Sequence, residues 1–193
     1  GTGKFNNIIA SYRAAAEIMT DEMTTRINIF AIPGIRDSFV TDYVIDRIEA
    51  FGQAIYLLDI ANYDSDNNRI YLDSKKKPAV SKTISQFESR ALNTNYAATY
   101  FPDVSIIDDS TGNPVKVPAS VTALGALGFN DSVSYPWFAP AGFNRASLAN
   151  VVNTQSRLTA GDRDNLYDAR INPIASFPGA GFVIFGQKTL QQA

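Results

Sequence analysis

The sequence contains neither cysteine nor histidine among its 193 residues. Without cysteine it has no disulfide, no thiolate nucleophile and no cysteine-based zinc site. Without histidine it has no Ser-His-Asp triad and no imidazole that could ligate a metal or shuttle protons. Much common enzyme chemistry is therefore excluded, whereas carboxylate, lysine and tyrosine chemistry remains available.

The sequence also lacks an excess of charge of either sign. With 17 basic and 19 acidic residues its formal net charge is −2. We therefore expect no nucleic-acid partner, because such partners are attracted by strongly positive surfaces. The three lysines at 75–77 follow Asp73 and are predicted to form a solvated loop. No apolar run approaches the ~18 residues that span a bilayer, so we expect no membrane insertion.

The first third of the chain predicts a helix followed by a βαβ unit. Residues 8–22 are rich in alanine and lack glycine and proline, which favours a helix. A strand at 26–34 stops at a Pro-Gly pair, a helix follows at 39–51, and a continuous apolar strand occupies 54–60. This order predicts a right-handed βαβ unit at about 26–60.

The helix at 39–51 has the clearest local signals. Asp37 or Ser38 can cap its start, and Gly52 occupies the position where a C′ glycine belongs. Its predicted buried face consists of Val40, Val44, Ile48 and Phe51.

Helices and strands continue to alternate downstream. Further helices are predicted at 81–92, 118–128 and 159–170, the last from a Thr159–Asp162 capping box. In the first of these, Ile84, Phe87 and Ala91 are predicted to face inward. Extended segments are predicted at 69–72, 96–101, 115–118 and 181–186. The fold class is therefore predicted to be α/β or α+β, with a mixed, largely buried sheet flanked by helices.

Two glycine-containing segments suggest phosphate binding, and both fail a closer test. GTGK at 1–4 is similar to the end of a P-loop, and Asp59 follows an apolar strand like an Mg²⁺-holding aspartate. However, Phe5 stands where a P-loop needs Ser or Thr, so Asp59 is predicted to be a strand-end polar group. In GAGFVIFG at 179–186, Ile184 occupies the third glycine position of a dinucleotide motif, and a strand follows where a helix is needed.

The acidic clusters also favour structural roles. Asp64, Asp66 and Asn68 match the start of a calcium loop, but its sixth and twelfth positions are Arg69 and Lys75, which favours a polar turn. Asp108 and Asp109 are predicted to lie in a turn, and Asp162 in a helix cap. The aromatic segment at 134–145 favours packing or a protein contact. We therefore predict no catalytic, cofactor-binding or metal-binding residue.

The C-terminal third carries an ordered series of short motifs. APAGFNRASLANV begins at Ala139, and RLTAGDRDNLYDARINPIASFPGAGFVIFGQKTL begins at Arg157. The series Ala-Pro-Ala-Gly, Asn-Arg, Leu-Thr, Asn-Pro-Ile, Pro-Gly-x-Gly and Gly-x-x-Thr-Leu resembles that of tail sheath proteins of contractile-tailed bacteriophages. That family is shared with contractile bacteriocins and is related to type VI secretion sheaths. The family-motif positions are Asn144, Arg145, Asn172, Pro173, Pro178, Gly179, Gly181, Gly186 and Thr189.

Weaker similarity extends upstream, so that the resemblance covers about 26–190. INIFAIPG and IYLLDI are similar to the two family strands that flank a helix. NYAATYFPDVSIIDDSTGNPVKVPAS, from Asn95, is similar to the family's Tyr-Ala-x-x-Tyr-Pro segment, acidic turn and Val-Pro-x-Ser helix start. Asp103 stands where many relatives have tryptophan, after Phe101-Pro102, which leaves the local packing there open.

The resemblance implies a structural protein rather than an enzyme, with no cofactor. Its subunits would stack in rings around a tail tube and shorten, with the tube and baseplate as further partners. The location implied is the virion, with assembly in the host cytoplasm. Asn172-Pro173 and Pro178-Gly179 would be rigid corners, and 181–185 a core strand.

The resemblance also implies that the 193 residues are one sheath-core domain fragment, with an N-terminal helix in 1–25 and the α/β core in 26–190. The C-terminal linking segment and part of the N-terminal region would be absent, and we expect the chain alone to be a folded monomer. Two alternatives remain: a non-contractile virion or baseplate protein, and an α/β enzyme that uses Asp59 and Lys4 on a phosphorylated substrate.

Overall fold

A computed structural model describes residues 2–133, 148 and 150–192, with only the backbone for 129–133. Over these residues it has five α-helices and ten strands. The helices are α1 (Asn7–Met19), α2 (Ser38–Phe51), α3 (Val80–Glu88), α4 (Ala119–Val133) and α5 (Ala160–Asp168). The strands are β1 (Ile29–Ala31), β2 (Ile55–Leu58), β3 (Asn62–Tyr63), β4 (Arg69–Ile70), β5 (Ala97–Phe101), β6 (Val104–Ile107), β7 (Pro114–Val117), β8 (Val151–Thr154), β9 (Ile171–Phe177) and β10 (Gly181–Ile184).

The main sheet has five strands in the order β1-β2-β5-β9-β10. The first four strands are parallel, and β10 pairs antiparallel with β9. β1 and β2 are neighbours joined through α2, which confirms the predicted βαβ unit. A hairpin of β3 and β4 and an antiparallel sheet in the order β7-β6-β8 complete the α/β fold, and the predicted mixed, buried sheet is confirmed.

Each face of the main sheet supports its own hydrophobic cluster. Successive side chains of a strand point to opposite faces, so Tyr56 and Leu58 contribute to the cluster that also contains residues of α1, α2, α3 and α5. Leu57 and Tyr100 point the other way, into a cluster with α4 and the three-stranded sheet. A sheet covered on both faces explains why β2 and β5 are apolar at consecutive positions.

The ends of α2 follow the sequence prediction. The Asp37 carboxylate accepts a hydrogen bond from the Phe39 N–H at 2.8 Å, and Gly52 ends the helix at φ +68°. Val40, Val44 and Ile48 on the predicted inward face are at most 1% exposed. Local capping and periodicity were therefore sufficient to define this helix.

Other element boundaries differ from the predictions. α1 ends at Met19 and not at residue 22, because the Thr20 hydroxyl donates to the Ala16 carbonyl and Asp21 accepts from the Met23 N–H, which turns the chain. α3 ends at Glu88, so the inward position predicted for Ala91 is wrong: that residue is exposed, at φ +50°. The strand predicted at 26–34 is paired only over Ile29–Ala31. β8 was not predicted.

The last described segment, 186–192, packs along the start of β5. β9 begins opposite Thr99, which leaves the earlier part of β5 without that neighbour. Leu190 bonds to the backbone at and before the start of β5 instead. Its N–H donates to the Ala97 carbonyl at 3.0 Å, and its carbonyl accepts from the Thr94 N–H at 3.3 Å. The Leu190 side chain is fully buried in the cluster on the α2 face. This segment is therefore part of the core.

We expect Leu190→Ala to lower the free energy of unfolding by about 2–5 kcal/mol, because it leaves a cavity in the core. Gln191→Ala is the matched control, since that neighbouring side chain is exposed. Urea unfolding of the three proteins measures the difference. Equal midpoints for the two variants would contradict the assignment of Leu190 to the core.

Candidate functional site at the carboxyl edge of the sheet

Two buried carboxylates lie at the carboxyl edge of the parallel strands. Asp59 directly follows β2, and Asp103 follows β5 after one proline. Each residue is only 2% exposed. Carboxyl ends of parallel strands meet at one edge of a sheet, where α/β proteins generally bind ligands. A ligand site in this fold would therefore be expected at this edge.

Asp59 binds the start of α4 and the loop after β1. Its Oδ1 accepts from the Ser120 N–H at 3.0 Å, and its Oδ2 accepts from the Ser120 hydroxyl at 2.6 Å. Oδ2 also accepts from the Gly34 N–H at 2.9 Å. The first turn of a helix has N–H groups without intrahelical partners and a partial positive charge. Asp59 accepts from one of these groups, the Ser120 N–H, and it is the strand-end polar group that the sequence predicted.

Asp103 makes a second contact with the same helix end. Its Oδ1 accepts from the Ala119 N–H at 3.0 Å, while its Oδ2 accepts from Arg36 Nη2 at 2.8 Å and from Asn62 Nδ2 at 3.1 Å. Arg36 also donates to the Ile60 carbonyl at 2.6 Å. Burial raises the pKa of Asp103, and the adjacent Arg36 guanidinium opposes that rise.

This arrangement closes the edge instead of opening a ligand site. Phosphates bind helix N-termini through free N–H groups, but at α4 the protein's own carboxylates accept from Ala119 and Ser120. The parallel strands also follow one another in chain order, so no reversal of strand order forms a crevice. Lys4 is not brought to Asp59, since its ammonium lies over the Phe5 ring, 5.3 Å from the centroid. Among the described residues no group of three or more acidic side chains is placed to hold a metal.

The sequence did not identify Asp103, Arg36 or Ser120 as partners in this network. A signal was available for Asp103, because it follows an apolar strand just as Asp59 does. No local pattern places Arg36 beside Asp103, because the two are 67 residues apart in the chain. Asp103, whose local packing the sequence left open, thus forms a buried ion pair with Arg36.

Two of the predicted family-motif positions, Asn172 and Gly186, lie against each other. The Asn172 amide donates to the carbonyls of Thr99 at 3.0 Å and Lys188 at 2.9 Å, and its Oδ1 accepts from the Lys188 N–H at 2.8 Å. The side chain therefore joins β5, β9 and the segment after β10. Gly186 fits against it, because a Cβ there would be 2.6 Å from Asn172 Oδ1. Thr189 follows Lys188 in the same segment.

The predicted corner at Asn172-Pro173 is wrong, because both residues lie inside β9. Proline is tolerated there since the β9–β10 pairing ends next to it: β10 stops at Ile184, and the Phe185 N–H donates to the Pro173 carbonyl at 2.8 Å. Pro178 and Gly179 do lie in the turn between the two strands, and Gly181 begins β10 at φ +74°. Asn144, Arg145 and the aromatic segment at 134–145 lie outside the described residues.

Comparison with known proteins finds relatives of part of this chain. The chain is 42% identical over 76 residues to the tail sheath protein of Vibrio phage KVP40, a match that covers 39% of this chain and 11% of that protein. It is 37% identical over 73 residues to the tail sheath protein of Enterobacteria phage T4, covering 38% and 11% respectively. The chain is related to phage tail sheath proteins. No protein-family model matches it.

Solved structures of contractile systems share the fold of this chain. The chain superimposes on the helical sheath of the anti-feeding prophage in its contracted state with a TM-score of 0.60 and 20% identity, covering 100% of this chain and 46% of that one. A chain of the baseplate structure of the same prophage superimposes with a TM-score of 0.63 and 21% identity, covering 100% of this chain and 44% of that one. The contracted sheath complex of PVC, an extracellular contractile injection system, superimposes with a TM-score of 0.57 and 14% identity. This match covers 95% of this chain and 50% of that one. The matches thus span half or less of the neighbours' chains and about a ninth of the curated relatives.

We expect Arg36→Met to lower the free energy of unfolding by about 3–5 kcal/mol at pH 7, because it leaves Asp103 as a buried, unpaired carboxylate. The loss should shrink as the pH falls. Burial already raises the pKa of Asp103, and removing Arg36 raises it further. A carboxyl group with a raised pKa stabilises the folded protein at low pH, where it is protonated. This stabilisation is lost as the pH rises through the folded-state pKa. Denaturant unfolding at several pH values tests this, with exposed Arg157→Met as control. A loss that is independent of pH would contradict the role given to the pair.

We expect Gly186→Ala to destabilise the fold by about 1–3 kcal/mol, because its methyl group would overlap the Asn172 amide and approach the Tyr167 ring at 3.1 Å. Gly128→Ala is the matched control, since a Cβ there meets nothing within 4 Å and alanine favours a helix. Thermal unfolding compares the two variants. Equal melting temperatures would exclude a close contact between Gly186 and Asn172.

Proposed function

We propose that the chain is the core of a tail sheath subunit, whose copies stack in rings around a tail tube and shorten to drive the tube through a host envelope. The observation that carries this proposal is the 42% identity over 76 residues to a phage tail sheath protein. The fold supports it, since it is shared with two sheaths described in a contracted state.

The closed carboxyl edge supports a structural role without catalysis. The enzyme alternative from the sequence uses Asp59 together with Lys4, which the structure does not bring together. In the structure the Asp59 oxygens accept hydrogen bonds from Gly34 and Ser120 at the helix N-terminus. A phosphate at the same place would meet a carboxylate, and the repulsion would oppose binding. The function we propose needs no cofactor.

A contracting sheath needs subunits that remain rigid while the contacts between them change. The two-sided core and the Asn172 junction, which ties the segment after β10 to the sheet, are consistent with such a rigid unit. We further propose that residues 26–190 form one core domain of a longer subunit and that its partners are other subunits, the tube and the baseplate. Its location would be the virion, after assembly in the host cytoplasm.

A second candidate is a structural component at the baseplate that does not contract. It is favoured by the similarity to the anti-feeding prophage baseplate structure, with a TM-score of 0.63 over the whole chain. The two candidates differ in the number and arrangement of copies in the assembled particle, so imaging can separate them.

We expect a cryo-EM map of the complete parent particle to show this domain in density that repeats along a tube. Fitting the fold into maps of extended and shortened particles would show the same rigid unit in two packings. A fit only at the terminal hub would replace the sheath proposal with the baseplate candidate. A fit nowhere in the particle would contradict both.

A thermal-shift assay tests the enzyme alternative directly. A nucleotide at 100 times its Kd would stabilise a binding protein by about 2.7 kcal/mol. We expect no change in melting temperature with ATP, GTP or inorganic phosphate, because the helix N-terminus is occupied by Asp59. A melting temperature that rises with ligand concentration would support the enzyme alternative.

A further inference from the structure

A basic cleft lies at the N-terminal end of α2. Two adjoining cavities of about 720 and 170 Å³ share Arg36 and Arg69 in their walls. Lys116 lines the larger cavity and Arg90 the smaller one, while exposed Tyr71 forms part of the apolar wall. Asp37 and Asp73 are the acidic residues of the lining. We call this region the basic cleft.

Arg69 is the cation of the basic cleft that is available to a partner. Arg36 is paired with Asp103 at 2.8 Å, Arg90 is paired with Asp42 at 2.5 Å, and Lys116 donates to the Ser74 carbonyl at 2.7 Å. The Arg69 guanidinium lies over the Tyr71 ring, 5.3 Å from the centroid. Within the described part of the chain it has no carboxylate within ion-pair distance.

An acidic patch lies at the opposite end of α2. Glu17, Asp21 and Glu22 surround a cavity of about 420 Å³, together with Arg47, whose Nε donates to the Thr20 hydroxyl. Apolar side chains project beside these carboxylates: Ile18 is 71% exposed and Met23 is 86% exposed. We call residues 17–23 the acidic turn.

α2 fixes the distance between the two regions. Ser38, the first residue of α2, lines the basic cleft, and Phe51, its last residue, lines the cavity beside the acidic turn. A helix of 14 residues is about 21 Å long. The positive end of the helix dipole also points to the basic cleft, and the negative end points to the acidic turn. The domain therefore has complementary charges at opposite ends.

We propose that copies of this chain associate head to tail, with the acidic turn of one copy in the basic cleft of the next. Arg69 would pair with Asp21 or Glu22, while Met23 would lie against the apolar wall around Tyr71. A contact between two different surfaces leaves one of each surface free on every dimer, so it extends into a ring or an open row of subunits, depending on the rotation between copies. The inference rests on the proposed function, because it takes a second copy as the occupant of the cleft.

Charge reversal provides the first test, read by sedimentation velocity over a concentration series at low salt. A single charged contact is weak, so we expect the wild-type chain to be monomeric when dilute and to form oligomers when concentrated. Arg69→Glu, and separately Asp21→Lys with Glu22→Lys, should each weaken association by at least about tenfold. The oligomers should also dissociate when salt is raised, because the screening length falls.

Mixing the two reversed proteins makes the test directional. The cleft variant keeps its acidic turn and the turn variant keeps its basic cleft, so the mixture should form complexes although each protein alone does not. Lys82→Glu and Asp109→Lys reverse exposed charges outside both regions and should leave association unchanged. Association that is equally strong in the reversed proteins, or a mixture that stays monomeric, would overturn the proposal.

Cross-linking gives a second readout that captures weak contacts. Because the sequence contains no cysteine, Met23→Cys and Tyr71→Cys introduce the sole thiols. With copper phenanthroline as oxidant, a mixture of the two single variants should form the mixed disulfide dimer, and a mixture of Met23→Cys with Asp109→Cys should not. No preference between the two mixtures would overturn the inference.

The same two substitutions in the parent particle separate this inference from the proposed function. Tubular sheaths in which these positions do not cross-link between copies would leave the proposed function intact and overturn the head-to-tail contact. Cross-linked rows from a parent that builds no tube would support the contact and contradict the sheath role.

Discussion

Placing the first turn of α4 against the end of a parallel sheet buries backbone N–H groups that need acceptors, and two carboxylates of the protein supply them. Asp59 and Asp103 hold the helix from the ends of β2 and β5, and Asp103 in turn holds Arg36. Because Asp59 also binds Gly34, the loop after β1 is fixed by the same contacts. An unpaired carboxylate at this depth would be strongly destabilising, so these elements depend on one another.

With the carboxyl edge closed in this way, the start of α4 offers no free N–H of Ala119 or Ser120 to an anionic ligand. That agrees with the relatives, which are tail sheath proteins. In an assembly of repeated subunits, the function depends on the contacts between the copies. The basic cleft and the acidic turn, which lie at opposite ends of α2, are the surfaces that we propose for such a contact.

The Asn172 junction plays a comparable role on the other side of β5. A single amide satisfies two carbonyls and one N–H from separate segments, and Gly186 provides the space. An aspartate could not donate these bonds, and a side chain at residue 186 would collide with the amide. The motif series in the C-terminal third therefore includes residues that act together although 14 positions separate them.

The sequence by itself determined the elements whose signals are local. Capping and periodicity defined α2, the capping box at Thr159 and Asp162 defined α5, and the order of strand, helix and strand defined the βαβ unit. It did not determine where α3 stops, that Pro173 lies within a strand, or that β8 forms. Those outcomes depend on which segments meet in space: a proline is acceptable where its neighbour strand ends, and Asp103 is paired because Arg36 arrives from a distant loop. Only the tertiary structure brings such residues together.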